Sequence, residues 1–381
     1  MPFVLLLQLG IILFLAKFLG RIVNKMGVSP VVGEILAGVV AGPVLKIVEP
    51  SVSLEIFSTI GVMLLVFLIG LETNFKEVKS AVYTGSAISI TGCILAFLGG
   101  FGLGLMLFNS TSIGIVMGVI MISTSTVIPI RIFMERNEYK TKVGQTFAVS
   151  SLADDVTAIL ALSLLIGYFS NTIGGITQIA LLFFTVLGFI YLLTTFGNKI
   201  LSSMIRKLHL AKDDQTFLAI TLAAIMIVTF LSDRAGIAGI TGAFLAGIAM
   251  SNTTMKNEII MPKIRTLGYG FVVPIFFAYS ALFLDLPVLW TSAGVILIVL
   301  LVGAATKAIG PGILAGFMGF TRKNQRMIAI GMIPRGEYGI FIAQIALGMT
   351  IITQQVYTIM IAFIILTIVI TPLLFALDKK I

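Results

Sequence analysis

Residues Val143 to Phe169 read VGQTFAVSSLADDVTAILALSLLIGYF, an apolar run whose only charges are two adjacent acids, Asp154 and Asp155. The run is long enough to cross about 30 Å of hydrocarbon as a helix. It therefore places two carboxylates near the middle of a bilayer, where one acid costs at least ~2.5 kcal/mol on insertion scales. Acids in that position mark ion or proton pathways.

The rest of the chain fits this reading. Its 381 residues are 58% hydrophobic and 11% charged, with mean hydropathy +1.13, which excludes an ordinary soluble domain. β-barrel alternation is absent, so the spanning elements are expected to be helices. Thirteen spans are expected: Phe3–Asn24, Pro30–Val48, Leu54–Leu71, Ser80–Phe108, Ile113–Phe133, Val143–Phe169, Ile173–Thr195, Thr216–Ser232, Ile237–Met250, Leu267–Leu284, Trp290–Ile309, Met327–Met349 and Ile351–Ala376. The fold class is an all-α polytopic membrane protein.

Basic residues orient it. Odd-numbered connections carry Lys17, Arg21 and Lys25, then Lys76 and Lys79, then Arg131, Arg136, Lys140 and Lys142, and so on to Lys379 and Lys380 in the tail. Even-numbered connections hold only Lys46 and Arg234. Cytoplasmic loops collect Lys and Arg, so the N-terminus is expected outside and the C-terminus in the cytoplasm of a plasma-membrane protein. The net charge of +9 belongs to loops beside an anionic leaflet and needs no nucleic-acid partner.

One cysteine, Cys93, and one histidine, His209, exclude an internal disulfide, a Cys/His-clustered metal centre and a Ser-His-Asp triad. An enzyme is not expected, and no cofactor. The first span lacks a basic n-region and a cleavage site and reads as a retained helix. No appended soluble domain is expected.

Gly33-Glu34-Ile35-Leu36-Ala37-Gly38 matches Gly242-Ala243-Phe244-Leu245-Ala246-Gly247 at an offset of 209 residues, and Gly61/Gly270 and Phe67/Phe276 keep that register. The second span pairs with the ninth and the third with the tenth. An odd number of spans separates the partners, which gives the halves opposite orientation, the inverted repeat of secondary transporters. In that architecture the site lies at broken helices. The fifth span carries Ser123-Thr124-Ser125-Thr126-Val127-Ile128-Pro129 and its counterpart carries Ile333-Pro334-Arg335-Gly336-Glu337. Prolines at Pro129 and Pro334 free backbone carbonyls that can line a cavity, or merely kink the helix.

Exchange of a proton for a cation needs an oxygen ligand that binds either. A carboxyl group in low dielectric meets that need, and two adjacent ones titrate as a pair. Neighbours on a helix point about 100° apart, so one acid can face Lys307 in the eleventh span while the other faces the cavity. Separation of an Asp–Lys pair offers a proton-linked switch, and a purely structural salt bridge is the alternative. Thr124, Ser125 and Thr126 can offer neutral oxygens to the cation, or bond back to their own helix. Arg335 and Glu337 can satisfy each other or the freed backbone. Glu34 sits at a helix end that either approaches the cavity or lies at the interface. Gly99-Gly100-Phe101-Gly102-Leu103-Gly104 lies inside a span, follows no strand, and reads as helix packing.

Together, Ser29-Pro30-Val31-Val32-Gly33-Glu34-Ile35-Leu36-Ala37-Gly38, Phe67-Leu68-Ile69-Gly70-Leu71-Glu72-Thr73-Asn74, Ala153-Asp154-Asp155, Gly242 to Gly247 and Pro334-Arg335-Gly336-Glu337 resemble the cation:proton antiporter-2 superfamily, whose members share the fold of NhaA-like sodium/proton antiporters. The resemblance covers nearly the whole chain. It implies a homodimer working by elevator-like alternating access, with two crossing broken helices. Dimerisation-bundle helices would lie in residues 1–75 and 214–286, core-bundle helices in 76–170 and 287–381, and a linker helix and cytoplasmic loop in 171–213.

The resemblance also implies that Asp155 is the ion- and proton-binding carboxylate and the ligand of transported sodium, Asp154 the acid paired with the membrane lysine, and Lys307 that lysine. Members with two aspartates and the lysine are electrogenic sodium exchangers. Potassium-efflux relatives carry an amide before a single aspartate and commonly a nucleotide-binding regulatory domain, which this chain is not expected to have. Tyr338 departs from the small aliphatic residue common at its position. The expected activity is exchange of sodium, and of lithium, for protons. A potassium/proton exchanger, a passive cation channel and a sodium-coupled organic-anion carrier are the alternatives, in that order.

Overall fold

The computed structural model describes residues 2–26, 29–72, 81–125, 129–130, 132–133, 136–170, 188, 214–234, 239–251 and 261–378. Among these every regular element is helical and no strand occurs. The chain forms two units, one of Met1–Pro50, Lys76–Ala161 and Phe277–Ile381, the other of Ser51–Phe75 and Leu162–Phe276.

The helices are α1 (Pro2–Lys25), α2 (Pro30–Val39, continued by a π turn at Val40–Val44), α3 (Val52–Glu72), α4 (Val82–Phe108), α5 (Thr111–Ile122), α6 (Lys142–Phe169), α7 (Asp214–Arg234), α8 (Gly239–Met250), α9 (Met261–Leu267, joined by a π turn at Gly268–Val272 to α10, Val273–Leu282), α11 (Leu286–Thr291), α12 (Ala293–Phe317), α13 (Arg322–Gly331), α14 (Glu337–Gly348) and α15 (Gln354–Asp378). Seven stretches among the described residues are long and apolar enough to cross a membrane: those of α1, α3, α4, α6, α9–α10, α12 and α15. A backbone crossing hydrocarbon must satisfy its own polar groups, and a helix does so within one segment.

Most expected spans coincide with helices to within a few residues. Trp290–Ile309 does not: Trp290 belongs to the short α11, and α12 runs on to Phe317. The expected span ends at Ile309, just before Gly310-Pro311, but Pro311 stays within the helix and packs beside Gly92 of α4. Pro30–Val48 ends early, in the π turn before Lys46, whose φ is 53°. The span Ile173–Thr195 and the loop after it, with His209, lie outside the described residues, as do Thr126, Lys76, Lys79, Arg131, Lys379 and Lys380.

Local chemistry sets the helix ends. Ser29 caps α2 ahead of Pro30, Ser110 Oγ accepts from the Ile113 amide at the start of α5, and Thr321 Oγ1 accepts from Asn324 at the start of α13. Asn109, left-handed at φ 48°, ends α4 and turns the chain into α5. Glycines then let helices close. A Cβ on Gly100 would meet Gly118 Cα at 2.7 Å, so the Gly99–Gly104 stretch packs α4 on α5, as expected of it. A Cβ on Gly92 would meet Pro311 Cγ at 2.9 Å and Lys307 Cδ at 3.4 Å, so Gly92 admits α12 to α4.

In the first unit, Phe133, Phe147, Phe375, Met327, Ile328 and Met332 share an apolar core. At its edge the end of α15 is clamped: Arg326 Nε lies 2.6 Å from Asp378 Oδ1, and Arg136 lies over the Phe375 ring and donates to the Phe375 carbonyl. In the second unit, Met63, Leu64, Phe67, Leu68 and Leu71 of α3 pack with Ala243, Ala246 and Met250 of α8.

Two spans are interrupted. α5 stops at Ile122 and Ser123 is extended (φ −60°, ψ 148°); α13 stops at Gly331 and residues 333–336 are non-helical before α14. α5, α13 and α14 are each too short to cross alone: the 12 residues of α5 rise about 18 Å. The interruptions touch, since the Ser125 amide donates to the Pro334 carbonyl at 2.7 Å. Pro334 lies within its interruption. Pro129 lies in helical residues beyond Ser123, where the first interruption has already begun.

Candidate ion site

Asp154 is completely buried and accepts four hydrogen bonds. Ser89 Oγ and Cys93 Sγ donate to Oδ1 at 2.6 and 3.1 Å; Thr124 Oγ1 and Lys307 Nζ donate to Oδ2 at 2.6 and 2.5 Å. Lys307 is equally buried. Four segments converge on this carboxylate: α4 with Ser89 and Cys93 one turn apart, the interruption after α5 with Thr124, α12 with Lys307, and α6 with the acid itself.

Burying two charges takes them out of water, and their attraction repays this only when further hydrogen bonds satisfy the remaining lone pairs. Ser89, Cys93 and Thr124 meet that requirement for Asp154. Lys307 Nζ also lies 3.8 Å from Cys93 Sγ. Asp155, 2% exposed, is the next residue on α6 and leaves the helix about 100° round from Asp154, so the two acids cannot share one set of partners.

Beside the pair, Arg335 binds backbone. Its Nη1 donates to the carbonyls of Met332 at 3.1 Å and Ser123 at 3.4 Å, and its Nη2 to that of Gly303 at 2.7 Å. Ser123 and Met332 are the C-caps of α5 and α13. Helix C-termini expose unpaired carbonyls and partial negative charge, and one guanidinium meets both ends at once. The Arg335 amide donates to Thr367 Oγ1 at 3.0 Å, and the guanidinium lies 5.8 Å from the Phe363 ring centroid. Of the two partners expected for Arg335, the freed backbone is the one described. The Glu337 side chain lies outside the described set, although its backbone begins α14.

The structure thus brings Asp154, Lys307 and Thr124 together, with Asp155 adjacent. Ser125 contributes its amide to the contact with Pro334. Glu34 is buried and bonded to Lys17 of α1 at 3.0 Å, an ion pair between α1 and α2. Sequence reasoning missed Ser89 and Cys93. The available signal was a stripe of small and polar residues at helical spacing, Gly85, Ser89, Gly92, Cys93 and Ala96, which the structure buries on one side of α4.

A helical, multi-pass membrane protein with a buried acid–lysine pair where two interrupted helices meet is an ion-pathway architecture. The chain belongs to the sodium/hydrogen exchanger family, whose transmembrane model matches residues 10–376. It is 30% identical to a Na+/H+ antiporter of Enterococcus hirae, over 93% of this chain and 92% of that protein. It is 29% identical to the Na+/H+-K+ antiporter GerN of Bacillus cereus, over 98% and 95% respectively. Its fold is like that of the sodium proton antiporter MjNhaP1 from Methanocaldococcus jannaschii, with TM-score 0.76, coverage of 99% of both chains and 18% identity.

Proposed function

We propose that the protein is a secondary sodium/proton antiporter in which Asp155 binds either a proton or a sodium ion and the Asp154–Lys307 pair is the switch. The buried ion pair at the meeting point of two interrupted helices carries the reading. Relatives named as Na+/H+ antiporters match it at 29–30% identity over nearly the whole chain. Exchange then follows from competition at one oxygen site: a proton and a cation cannot occupy the same carboxylate lone pairs together. In this reading the protein is of the two-aspartate, lysine-containing type. Moving the lysine charge with the cycle makes transport electrogenic, and lithium, another hard cation, is accepted too.

An inverted repeat is part of the proposal, and helix ends support it. At the 209-residue offset found in the sequence, Lys25 matches Arg234, Phe108 matches Phe317, Ile122 matches Gly331 and Phe169 matches Asp378, each pair closing a helix. The described residues of the site come from 76–170 and 287–381, the proposed core bundle; 1–75 and 214–286 are proposed to form the dimer contact. The protein is placed in the plasma membrane with its C-terminus in the cytoplasm.

Potassium is the second reading, favoured by the name of GerN as a Na+/H+-K+ antiporter. An organic-anion carrier needs an uncommitted cation in the site, but Lys307 is bonded to Asp154 and Arg335 to three carbonyls. The test is proton flux in proteoliposomes after separate additions of sodium, lithium and potassium, with membrane potential clamped and then released. Sodium-driven, voltage-dependent proton flux is expected. Potassium-only flux selects the second reading, and cation flux without proton coupling overturns the antiporter.

A further inference from the structure

An ionised carboxylate offers about four acceptor positions, and Asp154 has four donors: Ser89 and Cys93 on Oδ1, Thr124 and Lys307 on Oδ2. This saturation leaves Asp154 no lone pair for a cation while Lys307 is in place. The proposed switch breaks the lysine bond during the cycle. Oδ2 then gains an open position, whereas Oδ1 remains filled from α4.

We propose that Ser89 and Cys93 are positioning residues for cation exchange: by filling Oδ1 of Asp154 they keep that oxygen out of the cation's ligand shell, so that Asp154 has no more than Oδ2 to offer and the cation is held chiefly by Asp155. The inference rests on the Asp155-centred reading above. Ser89 and Cys93 are buried, sit one turn apart on α4, and approach the same oxygen. Their own helix is held close by Gly92, against which Pro311 and the Lys307 stem pack. The pair therefore has little room to swing away when Lys307 moves.

Removing these donors has a signature that a packing defect lacks. A buried carboxylate oxygen without donors is a strong ligand for a hard cation. Oδ1 of Asp154 would then join Asp155 around sodium, and the added carboxylate oxygen holds the ion more tightly and releases it more slowly. Apparent KM for sodium and maximal rate should fall together. A packing defect instead lowers the amount of folded protein and the rate while leaving KM in place. Lys307, Asp155 and Arg335, the other charged groups near Asp154, are unchanged in each variant.

The experiment measures sodium-driven proton flux in proteoliposomes for the parent, Ser89→Ala, Cys93→Ala, the double variant, and the conservative Ser89→Thr and Cys93→Ser, each reconstituted at equal monodisperse protein. The double variant is expected to show KM lowered about tenfold, since a hydrogen bond to a charged group is worth about that factor, with a parallel fall in maximal rate. Cys93→Ser, which keeps a donor, is expected to stay close to the parent. An unchanged or raised KM in the double variant overturns the inference, as does a Cys93→Ser protein indistinguishable from Cys93→Ala. If the double variant does not fold, the comparison of Cys93→Ala with Cys93→Ser decides by the same criterion. A parent without sodium-driven flux fails the antiporter reading itself; a parent with flux and insensitive variants fails only this inference.

Discussion

The Ser125 amide donates to the carbonyl of Pro334, a residue 209 positions later, and 209 is also the offset at which the Gly33–Gly38 motif returns as Gly242–Gly247. Residues that correspond in the two halves are therefore bonded to each other. Ser123 and Met332, at the same offset, are bridged rather than bonded: both carbonyls accept from Nη1 of Arg335. Under the proposed inverted repeat, such contacts between corresponding residues are expected where its two-fold axis passes.

Asp155→Asn is expected to abolish sodium-driven proton flux, because an amide neither binds a proton in this pH range nor offers a charged ligand to the cation. Flux in proteoliposomes checks it, and normal exchange would remove Asp155 from the site. Protein yield and elution profile should stay those of the parent.

Lys307→Ala leaves Asp154 as a buried charge without its counter-ion. Breaking a buried pair in this way costs about 3–5 kcal/mol, moderated here by the three neutral donors that remain. The expected results are a lower melting temperature in detergent and weakened exchange with altered voltage dependence. Unaltered voltage dependence in a variant that still exchanges would eliminate the lysine as switch.

Arg335→Lys keeps the charge and loses the fork. One ammonium cannot reach the carbonyls of Ser123, Met332 and Gly303 with the spread of a guanidinium. Loss of one or more charge-assisted bonds should lower stability by about 1.5–3 kcal/mol, read as a drop in melting temperature. An unchanged melt would show that the helix ends do not depend on it.

Gly92→Ala inserts a methyl 2.9 Å from Pro311 and 3.4 Å from the Lys307 stem. Overpacking of this kind costs about 1–3 kcal/mol, and relief by moving α12 would draw Lys307 from Asp154. Both stability and exchange should fall. Gly294→Ala on the same helix as Lys307, where a Cβ meets nothing within 4 Å, is the control expected to change neither.

Helices with uninterrupted apolar runs were legible in the sequence because hydropathy and length decide them: α4 and α6 differ from the expected spans by one or two residues at an end. Interruptions were harder to locate. Proline marks a helix that can break but not where, and the first break opens at Ser123, where hydroxyls offer the backbone alternative partners. The acid–lysine pair was legible because charges are conspicuous in a membrane span. Ser89 and Cys93 were not, since a small polar residue in such a helix bonds to its own backbone as readily as to a neighbour, and only the approach of α4 to Asp154 on α6 separates the two cases. In the sequence Cys93 serves only to exclude a disulfide and a Cys/His-clustered metal centre, yet its thiol touches the central acid.

The reach of Arg335 to the Gly303 carbonyl has a mechanical consequence. Gly303 lies one helical turn before Lys307 on α12, so the guanidinium tethers the lysine's own helix to the ends of α5 and α13. The two cations are thereby spaced by a strut of backbone rather than by their mutual repulsion. In the proposed cycle, a displacement of the interrupted helices that kept these bonds would carry the backbone of Lys307 with it.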